Sequence, residues 1–192
     1  QAVARLDSTA SICEFDSYKL RHNFGDILTR QAEHYHRKVH AEPGPSHGGD
    51  GIANPHECMS SKHEITQADM AADSYRKTLF NDFWLDEEGV GQALNYRHPT
   101  SSKTTLNFCS MSNSGKVHKK IALDGSSLVV SYQFLKLPEG DFKVEINLAM
   151  PSCDGPAGRF RFGKNILGGF NQAIKLSGLK HMALEDGVLG GA

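Results

Sequence analysis

Residues 116–150 read KVHKKIALDGSSLVVSYQFLKLPEGDFKVEINLAM, and their alternation decides the fold class. Apolar side chains recur at every second position through most of this stretch, the period of a strand with one buried face. Two turn signals divide it into three strands. Asp124-Gly125 suits the two-residue loop of a type I′ hairpin, pairing Leu123 with Ser126, Ile121 with Leu128, Lys119 with Val130 and Val117 with Tyr132. Leu137-Pro138-Glu139-Gly140-Asp141 suits a three-residue loop with Pro138 second and Gly140 left-handed, so that Leu137 meets Asp141. From that second turn Phe134 falls opposite Val144, Tyr132 opposite Ile146, Val130 opposite Leu148 and Leu128 opposite Met150.

Both turns therefore predict one antiparallel meander with Val117, Ile121, Leu128, Val130, Tyr132, Val144, Ile146 and Leu148 on its buried face. A slip of one residue would turn all of them outward. The opposite face then carries His118 across from Ser131, Ser131 across from Asn147, and Gln133 across from Glu145, with Lys143 near the edge. Such a face is either a solvated outer surface or a polar platform that meets sugar hydroxyls or a neighbouring domain.

Outward from this stretch the same period continues. It predicts strands at 90–97, 103–110, 158–162, 171–177 and 179–184, with a further short strand at 11–16. On the N-terminal side the spacing of Phe24, Ile27, Leu28, Gln31 and Tyr35 behind Asn23 predicts a helix over 24–38. A second helical stretch is expected from Gln67 to Leu79 behind Thr66, after a Pro- and Gly-rich loop at 41–55. The expected fold is mainly β: a large antiparallel β sandwich with one or two short N-terminal helices. Residues 1–88 would form its helix and loop entry region, residues 89–192 its main strands, all within one domain.

Composition narrows the function classes. The chain of 192 residues has 39% hydrophobic and 22% charged residues, a formal net charge of -1 and 19 glycines. Without a basic patch a nucleic-acid partner is not expected, and no apolar run reaches the roughly 18 residues of a membrane-spanning helix. A cytoplasmic protein is expected. Cys13, Cys58, Cys109 and Cys153 are dispersed without CxxC pairing, so four free thiols are expected. The absence of an initial Met and the stop after an apolar stretch suggest a piece of a longer parent.

Several short strings carry a resemblance. Glu14-Phe15-Asp16, then Asn23-Phe24-x-Asp26-x-Leu28-Thr29-Arg30-x-x-Glu33-x-Tyr35-His36, resembles the entry to the carboxy-terminal domain of family-57-type α-amylases and 4-α-glucanotransferases. Gly51-Ile52-x-x-x-His56-Glu57 and Tyr75-Arg76-Lys77-x-Leu79-Phe80-x-Asp82-x-Trp84 are similar to the segment leading into that domain's main β region. Tyr132 through Leu148 resembles its central strands. The resemblance implies a two-sheet sandwich of the galactose-mutarotase type, fused behind a catalytic β/α barrel that holds the nucleophile and acid/base carboxylates. It carries no catalytic residue onto this chain. The implied partners are an α-glucan or maltooligosaccharide and the parent's barrel, while self-association stays open.

Candidate chemistry on the chain itself is sparse. His34, His36, His40 and His56-Glu57 cluster in sequence, but His34 and His36 point apart on a helix, so no metal site is expected. Gly48-Gly49-Asp50-Gly51 lacks the Lys-Ser/Thr of a phosphate loop, and no cofactor is expected. Asp82, Glu145 and Asp186 are the acids that a glycosidase pair would draw on, with no spacing to support it. Aromatic platforms are the usual device for holding sugars, and Trp84, the chain's one tryptophan, is the first candidate, with Tyr96 close by in sequence. The expected substrate contacts are Trp84, His118, Gln133, Glu145 and Asn147. Three function classes follow: a non-catalytic glucan-binding module, a mutarotase-like enzyme using His118 and Glu145 as acid and base, and a purely structural or dimerising domain.

Overall fold

A computed structural model describes residues 1–32, 70–111, 115–135, 139–152 and 157–190. The chain divides into two compact units, Gln1–Ile27 with Thr78–Ala192, and Leu28–Lys77. In the second unit Asp73 is held by Arg30, whose backbone N–H donates to Asp73 Oδ2 at 2.7 Å and whose guanidinium pairs with it at 3.3 Å. Lys77 N donates to Thr29 Oγ1 at 3.0 Å, and its ammonium lies 4.2 Å from the centre of the Tyr75 ring.

The first unit is built from antiparallel sheets. One sheet contains β1 (Ala2–Ala4), β2 (Ile12–Ser17), β3 (His22–Asn23), β4 (Leu79–Leu85), β5 (Gly91–Ala93) and β10 (Asp141–Ile146), along the path β1-β2-β4-β10. A second contains β6 (Tyr96–Ser101), β7 (Thr105–Met111), β8 (Lys116–Asp124) and β9 (Ser127–Leu135) in sequence order. A third joins β12 (Asn165–Gly169), β11 (Gly158–Phe162) and β13 (Ala183–Asp186). The core is shared between the first two sheets: Ala10, Ile12 and Leu79 pack with Tyr96, Phe108 and Ile121, and Leu128, Val130 and Leu148 lie against them. Each fully buried side chain of this size contributes roughly 1.5–3 kcal/mol.

The β8–β9 hairpin forms as expected, with its turn moved. Asp124 pairs with Ser127 and Ile121 with Val130, so Gly125-Ser126 make the turn. Gly125 has φ +59°, whereas Ser126 is not left-handed, the pattern of a type II′ turn with glycine first. The register moves by two residues, and an even shift preserves faces: Val117 and Ile121 are buried, with Lys119 between them.

The third strand departs from the meander. β10 leaves β9 and pairs with β4, Phe142 against Trp84 and Val144 against Asp82. The expected pairs Gln133–Glu145 and Ser131–Asn147 therefore do not form. Gly140 explains the close approach, since at φ +123° a Cβ there would strike the Leu85 carbonyl and lie 2.9 Å from Trp84 Nε1. Trp84 Nε1 in turn donates to Glu139 O at 3.0 Å. Ile146, expected in the core, is 51% exposed, because the β4–β10 register shifts between Glu145 and Ile146. Phe80 is the extra residue of that irregularity and takes φ +62°, a left-handed conformation costing a bulky residue roughly 1–3 kcal/mol.

The expected helices are not present among the described residues. Residues 24–32 and 70–79 contain none, and the remainder of both stretches, 33–38 and 67–69, lies outside the described residues. Asn23 caps a turn instead: its Oδ1 accepts from Gly25 N at 2.8 Å and Phe15 N at 3.2 Å, and its backbone pairs with Asp16 in the β2–β3 ladder. The strand expected at 171–177 is irregular, that at 179–184 is replaced by β13, and β4 and β12 fall outside the expected strands. Cys13 and Cys109 are free thiols, and Cys58 and Cys153 lie outside the described residues. Among the described residues, no helix is long and apolar enough to cross a membrane.

Candidate functional site

The β4 segment Asp82-Phe83-Trp84 sends its two polar-tipped residues to different environments. Asp82 is buried at the core, while Trp84 is half-buried and faces a cleft. Alternation along the strand would put both on one face; the aromatic width of Trp84 and its place near the strand end give it the exposed rim.

Around Asp82 the donors converge. Lys119 Nζ donates to Asp82 Oδ2 at 2.7 Å, Tyr96 Oη to the same oxygen at 2.8 Å, and Tyr132 Oη to Oδ1 at 2.7 Å. Lys119 Nζ also donates to the carbonyl of left-handed Phe80 at 2.8 Å. Burial pushes the Lys119 ammonium below the usual lysine range, against the opposing pull of Asp82. Burial, then the Asp82 charge, pushes the Tyr96 and Tyr132 phenols above the usual tyrosine range. With both side chains of the ion pair fully buried, this cluster ties β8 to β4 and offers no acid to a substrate.

Asp186 is likewise committed. It accepts from Ser152 Oγ at 2.7 Å, Ser152 N at 3.1 Å, Val188 N at 2.9 Å and Leu189 N at 3.3 Å. Burial would raise its carboxyl, but those bonds outweigh it and hold it below the usual aspartate range. Glu145, the third acid, accepts from Asn147 Nδ2 at 3.0 Å and lies 3.6 Å from Lys143.

The cleft beside Trp84 has a volume of about 270 Å³. Gln92, Asn95, Ser110 and Glu139 supply polar atoms to its walls; Leu94 and Val117 supply apolar surface. Because the indole N–H is already bonded to Glu139 O, Trp84 presents chiefly its carbon framework to the cleft. An aromatic surface beside amide and hydroxyl groups can meet an apolar ring face while bonding a polar rim.

The five expected substrate contacts occupy three places. Trp84 lines the cleft. His118 and Gln133 stand opposite one another on β8 and β9, continuing a row through Cys109 and Arg97. Glu145 and Asn147 belong to the other sheet's β10 and the residue following it, where Asn147 Nδ2 also donates to Thr78 O at 2.9 Å. Gln92, Asn95 and Ser110 had no sequence signal of their own. They reach the cleft because β5 pairs with the Trp84 end of β4 and Ser110 lies one pair from the end of β7–β8.

The model of the family "Alpha-amylase/4-alpha-glucanotransferase, C-terminal" matches residues 1–192. A 4-alpha-glucanotransferase of Thermococcus kodakarensis is 25% identical over 168 residues, covering 79% of this chain and 26% of that protein. A 4-alpha-glucanotransferase of Thermococcus litoralis is 27% identical over 166 residues, covering 74% and 25%. An alpha-amylase of Pyrococcus abyssi is 29% identical over 75 residues, covering 39% and 12%. The chain thus spans about a quarter of the length of the two glucanotransferases. No solved structure matches it. With a family model matched from its first residue to its last, this chain belongs to the alpha-amylase/4-alpha-glucanotransferase C-terminal domain family.

Proposed function

We propose that the chain is a non-catalytic accessory domain that extends the glucan-binding surface of a larger α-glucan-processing enzyme, with Trp84 as its stacking platform. The cleft carries this reading: a half-exposed indole beside the amides of Gln92 and Asn95 suits a pyranose, whose ring faces are apolar and whose rim is hydroxylated. The paired carboxylates for glycosidic chemistry then belong to a barrel elsewhere in the parent, since Asp82 and Asp186 are bonded into the fold. The packing of the two larger sheets through Ile12, Leu79, Phe108 and Ile121 supports a sandwich of the galactose-mutarotase type. The thiols of Cys13 and Cys109 fit a cytoplasmic setting.

Trp84 is the chain's one tryptophan, so its emission reports directly on the cleft. Titration with maltooligosaccharides is expected to change that emission, and Trp84→Ala to abolish binding measured calorimetrically while the far-ultraviolet dichroism stays native. Binding unaffected by Trp84→Ala would remove the proposal. Alanine at His118, Gln133, Glu145 or Asn147 tests whether the contact reaches beyond the cleft. A self-sufficient mutarotase would need His118 and Glu145 at one anomeric carbon, although they stand in different sheets. Mutarotation by the purified chain, lost in both alanine variants, would replace the accessory reading.

A further inference from the structure

The edge strands of the two larger sheets are not protected alike. β6 carries Arg97 and Pro99, and β10 alternates Asp141, Lys143 and Glu145, devices that discourage another strand from adding to an edge. β9 has none of them. Its sequence SLVVSYQFL contains no charge, proline or glycine over nine residues, and no described strand pairs with its outer edge. β12 is also an uncharged edge, but it is short and ends in Gly168-Gly169.

The hairpin register shows which groups that edge presents. The closing pair Asp124–Ser127 of a two-residue loop is hydrogen-bonded, and Leu123 N donates away from β9, to Thr104 O at 3.0 Å. Alternation then turns the backbone N–H and C=O of Leu128, Val130, Tyr132 and Phe134 outward.

We propose that β9 is a self-association edge, at which two copies of this chain pair antiparallel about a two-fold axis through Ser131. In that register Leu128 meets Phe134 of the second copy and Val130 meets its Tyr132. These are the residues with outward backbone groups, and their side chains extend the apolar inner face across the junction. On the outer face Val129 meets Gln133. Neutrality selects a neutral partner, because a charged strand would lose hydration against this edge without gaining a counter-charge. Beyond the paired edges, Asp124 of each copy lies in the same row as Lys116 of the other, also about three strand spacings away, where salt screens most of the attraction. Lys120 faces its own copy at the centre, at about three strand spacings, or roughly 14 Å, where salt screens most of the repulsion.

Light scattering coupled to size exclusion tests this on the 192-residue chain. The expected result is a species of twice the 21.0 kDa protomer mass, dissociating on dilution. Val129 is 43% exposed and Gln133 exposed, so charges at both are compatible with folding. Val129→Lys with Gln133→Lys sets like charges opposite each other and is expected to weaken the dimer at least tenfold. Val129→Lys with Gln133→Glu sets opposite charges there and is expected to restore it. A monomer at all concentrations would overturn the proposal, as would equal weakening by both double variants. A dimer in this chain that disappears in a longer parent would also overturn it, since another part of the parent would then occupy β9.

Discussion

Lys119 on β8 and Asp82 on β4 form an ion pair of 2.7 Å with both side chains fully withdrawn from water, joining two sheets through the core. Removing either partner strands the other. Asp82→Ala is expected to destabilise the domain by about 3–5 kcal/mol, while Lys119→Met combined with Asp82→Leu should cost much less than the two single changes together. Urea unfolding of the single and double variants measures the difference, and strict additivity would contradict the coupling.

The same cluster makes the fold sensitive to alkali. The unfolded chain releases phenol protons near pH 10, whereas Tyr96 and Tyr132 hold theirs to higher pH in the fold. The folded state then binds more protons, so stability falls as pH rises above about 10, by about 1.4 kcal/mol per pH unit for each phenol. Lys119 works in the opposite sense: its lowered value adds stability as pH climbs towards the unfolded lysine value, near 10.4, and nothing beyond it. Melting temperatures between pH 8 and 11.5 should show the late decline, made shallower in Tyr132→Phe.

Gly140 is expected to be intolerant of any side chain. Gly140→Ala would press a methyl group against the Leu85 carbonyl and Trp84 Nε1, in a backbone conformation that favours glycine. A lowered melting temperature with a shifted Trp84 emission maximum is the expected signature. Native emission and unchanged stability would count against the β4–β10 closure.

The purified chain is expected to release no reducing sugar from α-1,4-glucans and to transfer no glucosyl units. Activity that vanished in Glu145→Gln would show a catalytic centre here, contrary to the reading in which this acid serves Asn147 and Lys143.

What the sequence made legible follows from the range of its signals. Alternation in β8 and β9 is local, so the shared face of Val117, Ile121, Leu128 and Val130 is legible even though the turn falls one residue later than its Asp-Gly signal suggests. Partner choice is not local. Nothing in DFKVEI says that Val144 will pair with Asp82 instead of Phe134, because that depends on the fit of Gly140 against a strand far earlier in the chain. The helix expected after Asn23 failed for a related reason, as the same side chain that caps a helix also closes a short turn. Trp84 was found as a rare aromatic; Gln92 and Asn95 became cleft residues only through β5 pairing. Lys119 is visible in the sequence as a charge on an apolar face, but no local signal couples it to Asp82, which reads there only as an acid for chemistry.

The departure of β10 also sets an order of events in folding. The β8–β9 hairpin closes over neighbouring residues and can form early, whereas β4 must wait for β10 until every strand from β5 to β9 has been made between them. Loop-closure entropy places that pairing late, and until then the apolar edge of β4 is open to the wrong partner. Refolding followed by Trp84 emission should therefore lag behind the appearance of β structure, and the interval between the two is when this domain is most exposed to misassembly.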